Sequence, residues 1–196
     1  MHVPDPLRAH GAWVYMTAAV AAGAFSAPGD RVLPALLAGA GVTGAFMVFG
    51  ALYGHRRDAR SLAIGGLLFA GGPCLALAAG APPAFLACAG AAAVPAVAAV
   101  VLGRVLGSLA TSTIVCATLA IACGAPVAAV AGGRSGRSAL LLLLLLAPFY
   151  AWRTLRVRAS FARPAAERPP PRTTGLREAR HAAIWCLLVV GLSRLL

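Results

Sequence analysis

The chain of 196 residues is long enough for one small domain, but 60% of it is apolar, only 11% is charged, and its mean hydropathy is +0.84. A soluble domain carries about 25% charged residues, and a globule this small has too little interior to hide so much apolar surface. With 17 basic residues, all of them Arg, against five acids and a net charge of +12, a soluble enzyme, a disulfide-stapled secreted module and a disordered tail are excluded, and an integral membrane protein is left. The Ala/Gly/Arg bias without Lys points to a GC-rich bacterial genome and so to the bacterial inner (plasma) membrane.

Apolar, charge-free stretches near the length of about 20 residues that a bilayer requires follow one another almost end to end. They predict an all-α, polytopic transmembrane bundle of about seven helices, at 11–28, 32–54, 62–80, 82–103, 106–132, 138–152 and 181–196. The first opens with Trp13 and Tyr15, the mark of an interfacial belt. Its rival reading is a signal peptide ending at the small-x-small triplet Ala24-Phe25-Ser26. Between the third and fourth, Gly80 and Pro82-Pro83 break the helix. The length of the fifth leaves open whether it is one helix or two. Pro73, Pro95, Pro126 and Pro148 sit inside spans, where each removes a backbone donor and kinks its helix. The single transmembrane domain, 1–196, is interrupted by one soluble-looking segment, a basic, Pro-rich loop at 153–180. Its arginines suit anionic lipids.

Orientation follows from the arginines, because positive loops are retained in the cytoplasm. With the N-terminus, the 55–61 loop, the 104 turn and 153–180 on one face, that face holds 13 Arg and the other four, Arg31, Arg134, Arg137 and Arg194. The N-terminus is therefore expected to be cytoplasmic.

Proton-coupled carriers and voltage sensors need charges within the membrane, and the centres of these spans have none. Their polar groups are hydroxyls, chiefly Thr17, Thr43, Thr111, Thr113 and Thr118, which in helices usually bond back to the backbone. The five cysteines, an odd number without C-x-x-C spacing, read as small apolar residues. Gly133-Arg134-Ser135-Gly136 has the G-x-S-G form of intramembrane serine proteases. It lies in an Arg-flanked loop, on the face opposite to His181, so no catalytic residue is assigned. The acids are too few for a magnesium–diphosphate site, no metal ligand set is complete, and the sequence names no cofactor.

Histidine is more informative. His10, His55 and His181 all fall at the expected cytoplasmic rim. His55 leads Arg56 and Arg57, and Glu178 stands three residues before His181, on one helix face. Guanidinium groups match anionic oxygens bidentately. The candidate ligand site is accordingly His10, Trp13, His55, Arg56, Arg57, Glu178 and His181, with Arg as anion anchors, Trp13 as interfacial packing and His as ligand or acid/base. Their convergence requires the first, second and seventh spans to be neighbours.

The segment His10-Gly11-Ala12-Trp13, after Pro4 and Pro6, resembles the opening signature of the YwiC-like bacterial membrane proteins. Gly103-Arg104, the Arg-rich run after Tyr150-Ala151-Trp152, and Gly175-Leu176-Arg177-Glu178 fit the same outline. The resemblance implies a Leu/Ala-rich bundle in the membrane, without implying an activity. The expectation is a YwiC-like inner-membrane protein that binds an anionic or lipidic small molecule at its cytoplasmic rim. Its partners are the bilayer and its anionic lipids, with a protein partner possible and no nucleic acid. The alternatives are an accessory or assembly subunit whose basic loop docks a partner and, less favoured, a facilitator with a hydroxyl-lined path through the fifth span.

Overall fold

A computed structural model of the chain describes residues 10–53, 59–108, 110–161 and 171–195, and among them every regular element is helical. The elements are α1 (His10–Ser26), a single 3-10 turn (Gly29–Arg31), α2 (Val32–Tyr53), α3 (Ala59–Ala78), α4 (Ala84–Val105), α5 (Thr111–Ala122), α6 (Gly124–Ala131), α7 (Gly136–Phe161) and α8 (Pro171–Leu195). Cys123, between α5 and α6, keeps helical dihedrals (φ −61°, ψ −15°). The two are therefore one span with a break. Pro126 explains the break, since it has no N–H for the carbonyl four residues back and its ring crowds that turn. The described residues thus form seven helical rods, as expected. Five stretches, Gly29–Ala51, Ala59–Ala78, Ala84–Val105, Thr111–Ala131 and Gly136–Ala159, are long and apolar enough to cross a membrane. This is the architecture of a multi-pass membrane protein.

The expected loop at 153–180 is shorter than the sequence suggested. Residues 153–161 continue α7 and residues 171–180 open α8, leaving 162–170 outside the described residues. Proline is tolerated in the first turn, where its missing N–H has no helical partner to lose, so Pro171 starts α8 and does not prolong the loop.

The turns follow from local chemistry. Gly80 (φ +86°) and Gly133 (φ +82°) adopt the left-handed conformation that lets a helix end in paired backbone bonds. The N–H groups of Gly80 and Ala81 reach the carbonyls of Leu77 and Ala76, and those of Gly133 and Arg134 reach Val130 and Ala129. Ser135 then caps α7, its Oγ accepting the Ser138 N–H at 3.2 Å. That is the role of the serine in the G-x-S-G sequence, and it is a common helix start.

The α5–α6 rod is the axis of the bundle. All eight residues of α6 are buried, and α1, α2, α4 and α7 pack around the rod. α8 closes the bundle against α1 and α7, and α3 lies outside α2. The α2–α3 contact is a backbone approach: a Cβ on Gly72 would stand 2.6 Å from the Gly41 nitrogen and 2.7 Å from the Leu37 carbonyl oxygen. In lipid, where burial of apolar side chains drives little, such small-residue contacts hold helices together. The outer faces of α3 and α4 expose Leu67, Phe69, Leu75, Val94, Val97 and Val101, as lipid contact requires.

The bundle has two ends. The proximal end, where α1 begins, brings together α1, α7 and α8 through Tyr15, Arg153 and Glu178. At the distal end Arg134 donates to the carbonyls of Ser26 (2.8 Å) and Ser193 (2.6 Å), Arg194 to Phe25 (2.8 Å), and Arg31 to Gly80 (3.0 Å). Three of the four arginines expected opposite the basic face therefore serve carbonyls at or near the ends of α1, α3 and α8, where helix dipoles favour cations. The same bonds build the end of α1 into the bundle.

Candidate functional site

The polar centre of the molecule lies inside the proximal end. α8 carries Glu178 about one turn before its apolar stretch, and α7 carries Arg153 about one and a half turns after Pro148. The helices meet so that both side chains are nearly buried, 5% and 7% exposed respectively. Arg153 grips the carboxylate with two donors: Nε to Oε2 at 2.9 Å, and Nη2 to Oε1. The Tyr15 hydroxyl of α1 donates to Oε2 at 2.8 Å. A forked guanidinium–carboxylate pair is the strongest neutralisation a side chain can give, and here it ties three helices to one anion.

His181 stands one turn further along α8 and is exposed. Its Nδ1 lies 2.6 Å from the Arg177 carbonyl oxygen. A carbonyl only accepts, so in this contact Nδ1 is the donor. The 3.4 Å approach of Arg153 Nη2 to Nδ1 is then a contact between two donors.

Aromatic groups frame the cluster. The Tyr15 ring stacks on Tyr150 at 4.7 Å. Phe149 stacks on Trp185 at 5.0 Å and tilts against Trp152 at 6.4 Å. Trp152, half exposed, has the guanidinium carbons of Arg153 and Arg156 at 5.4 and 5.6 Å from its ring, the geometry of cation–π attraction. The Trp185 indole donates to the Leu145 carbonyl at 3.1 Å, beside the carbonyl that Pro148 leaves without its helical partner. Among the described residues the Tyr150 hydroxyl alone is a buried side-chain polar atom without a hydrogen bond. The neighbouring Cys186 thiol donates to the Ala18 carbonyl instead.

Of the seven residues expected at the rim, the structure describes the side chains of three, Trp13, Glu178 and His181. Glu178 and His181 come together, but with Arg153 and Tyr15, which sequence reasoning had assigned to a loop and to an interfacial belt. Trp13 points away from them and meets Phe46 of α2 edge-on at 5.1 Å. The described residues of α2 and α8 each pack on α1 and have no extended contact with one another. His10 opens α1, but its side chain lies outside the described residues, as do His55, Arg56 and Arg57. One signal in the sequence pointed to the pair: Glu178 is the only acid beside an apolar span in the C-terminal third, and Arg153 is the first charge after the long apolar run of α7.

No group of three or more His, Cys, Asp or Glu among the described residues is arranged to hold a metal. Glu178 is already saturated by Arg153 and Tyr15. The expected hydroxyl path through the fifth span has no counterpart at Thr118, which donates to the carbonyls of Ile114 and Val115 in its own helix. Thr113 donates to Gly107 and Thr111 accepts from Arg158. Thr17 and Thr43 likewise bond back one turn.

Comparison of the chain with protein-family models, with curated proteins and with solved structures finds no match.

Proposed function

We propose that this multi-pass membrane protein binds an anionic amphiphile, headgroup first, at the proximal end of the bundle, and that this end faces the cytoplasm of a bacterial cell. The observation that carries the reading is the neutralisation of Glu178. It is the one acid described at this end, and Arg153 consumes its charge inside the bundle. The surface beside it is therefore basic: Arg156 lies on the half-exposed Trp152, and Arg177, whose Nε stands 3.9 Å from the already neutralised Glu178 carboxylate, has a side chain that is 58% exposed. Tryptophan at headgroup depth with arginine beside it favours an anionic headgroup over a neutral one. The asymmetry of arginines supports the orientation, because most of those at the other end are engaged by helix carbonyls. The YwiC-like resemblance of His10-Gly11-Ala12-Trp13 remains our reading of ancestry.

The test is native mass spectrometry of protein taken from bilayers with equal phosphatidylglycerol and phosphatidylcholine. Each basic residue near the surface contributes about 1 kcal/mol, so Arg156→Gln and Arg177→Gln should each lower the phosphatidylglycerol preference about fivefold. Equal retention of both lipids by the unaltered protein would refute the reading and favour an accessory subunit.

A further inference from the structure

The distal end carries an open cup of about 460 Å³ where three turns meet, contributed by Asp30 and Arg31, by Gly80 and Pro82, and by Gly133. Much of its wall is backbone. The two glycines have left-handed dihedrals, and the space a Cβ would take is open at Gly133 and at Gly80 meets only Arg31, at 3.5 Å. Two charged side chains enter the cup. Arg31 is pinned by its bond to the Gly80 carbonyl at 3.0 Å, while Asp30, 80% exposed, touches Arg31 only loosely at 3.7 Å.

These two charges are unequal in what they have left to do. The Arg31 guanidinium has five donors; one is spent on Gly80 and Nε faces Asp30, and the remaining three suit an anionic oxygen. The Asp30 carboxylate suits a cation, and so does the negative dipole potential at the ends of α3 and α6. A ligand that is anionic at one end and cationic a few ångströms away fits both. The cup also opens where the spans end, at the depth of lipid headgroups.

We propose that the cup binds a phosphoethanolamine group, its phosphate on Arg31 and its primary ammonium on Asp30, beside the ends of α3 and α6. A primary ammonium has N–H donors for the Asp30 carboxylate. The trimethylammonium of choline has none, so the cup discriminates between the two. This site lies at the opposite end from the anionic-headgroup reading and does not rest on it.

The full chain is reconstituted in bilayers containing phosphatidylglycerol with equal phosphatidylethanolamine and phosphatidylcholine, and the retained lipids are identified by native mass spectrometry. The expected result is a phosphatidylethanolamine preference of about threefold, the scale of one exposed charged contact. Asp30→Asn should abolish it, with thermal melting confirming that this exposed substitution leaves the fold intact. Gly66→Ala, where an added Cβ meets nothing within 4 Å, should leave it unchanged. Displacement by free phosphoethanolamine would show that the headgroup alone is recognised. Retention without displacement would show that the lipid-anchored form is the ligand. Equal retention of the two lipids, or a preference that survives Asp30→Asn, would overturn the proposal.

Discussion

Glu178→Gln isolates the Arg153–Glu178 pair better than any other single change. The substitution keeps the side chain's shape and removes its charge, leaving Arg153, 7% exposed, as an uncompensated cation among α1, α7 and α8. Breaking a buried pair from one side costs about 3–5 kcal/mol. Tyr15→Phe removes one of the three donors to the carboxylate and leaves the pair intact, so it should cost less, about 1.5–3 kcal/mol for a bond to a charged group. Removing both charges together, as Arg153→Met with Glu178→Leu, should cost far less than the sum of the single changes, because no charge is then stranded. Equilibrium unfolding in mixed micelles, followed by the emission of Trp152 and Trp185 near the pair, measures each of these variants. Single substitutions that each cost under about 1 kcal/mol, or a double that costs the sum, would refute the claim that this pair is the tie between the three helices.

Tyr150→Phe should be neutral or stabilising by up to about 1–3 kcal/mol, since it deletes a buried hydroxyl that has no partner among the described residues. A loss of stability in the same unfolding assay would mean that the hydroxyl has a partner. Gly72→Ala should cost about 1–3 kcal/mol by forcing apart α2 and α3, whereas Gly66→Ala, where the added Cβ meets nothing within 4 Å, should leave the melting temperature unchanged or raised.

Much of the fold was legible along the chain because lipid imposes its rules locally. A helix that must satisfy its own backbone in hydrocarbon needs a long apolar run, so the seven rods and the turns at Gly80 and Gly133 could be read from composition and punctuation alone. Pro126 even marks the break that makes the fifth rod two helices, and Pro171 marks where α8 starts, although it read more naturally as part of a loop. The candidate site was legible only in part. Glu178 and His181 were visible from their spacing, but which groups they meet depends on which helices become neighbours.

That choice is made by packing. Tyr15 and Trp13 are two residues apart and so lie on nearly opposite sides of α1, and only the placement of α8 and α7 on one side and α2 on the other sends one to Glu178 and the other to Phe46. The fate of the arginines divides the same way. Their number and sequence positions established a basic, membrane-embedded chain. The tertiary structure alone decided that Arg153 neutralises a buried carboxylate, that Arg134 and Arg194 close helix ends, and that Arg156 is left on the surface. A charge's sign is a property of the residue, whereas its partner is a property of the fold.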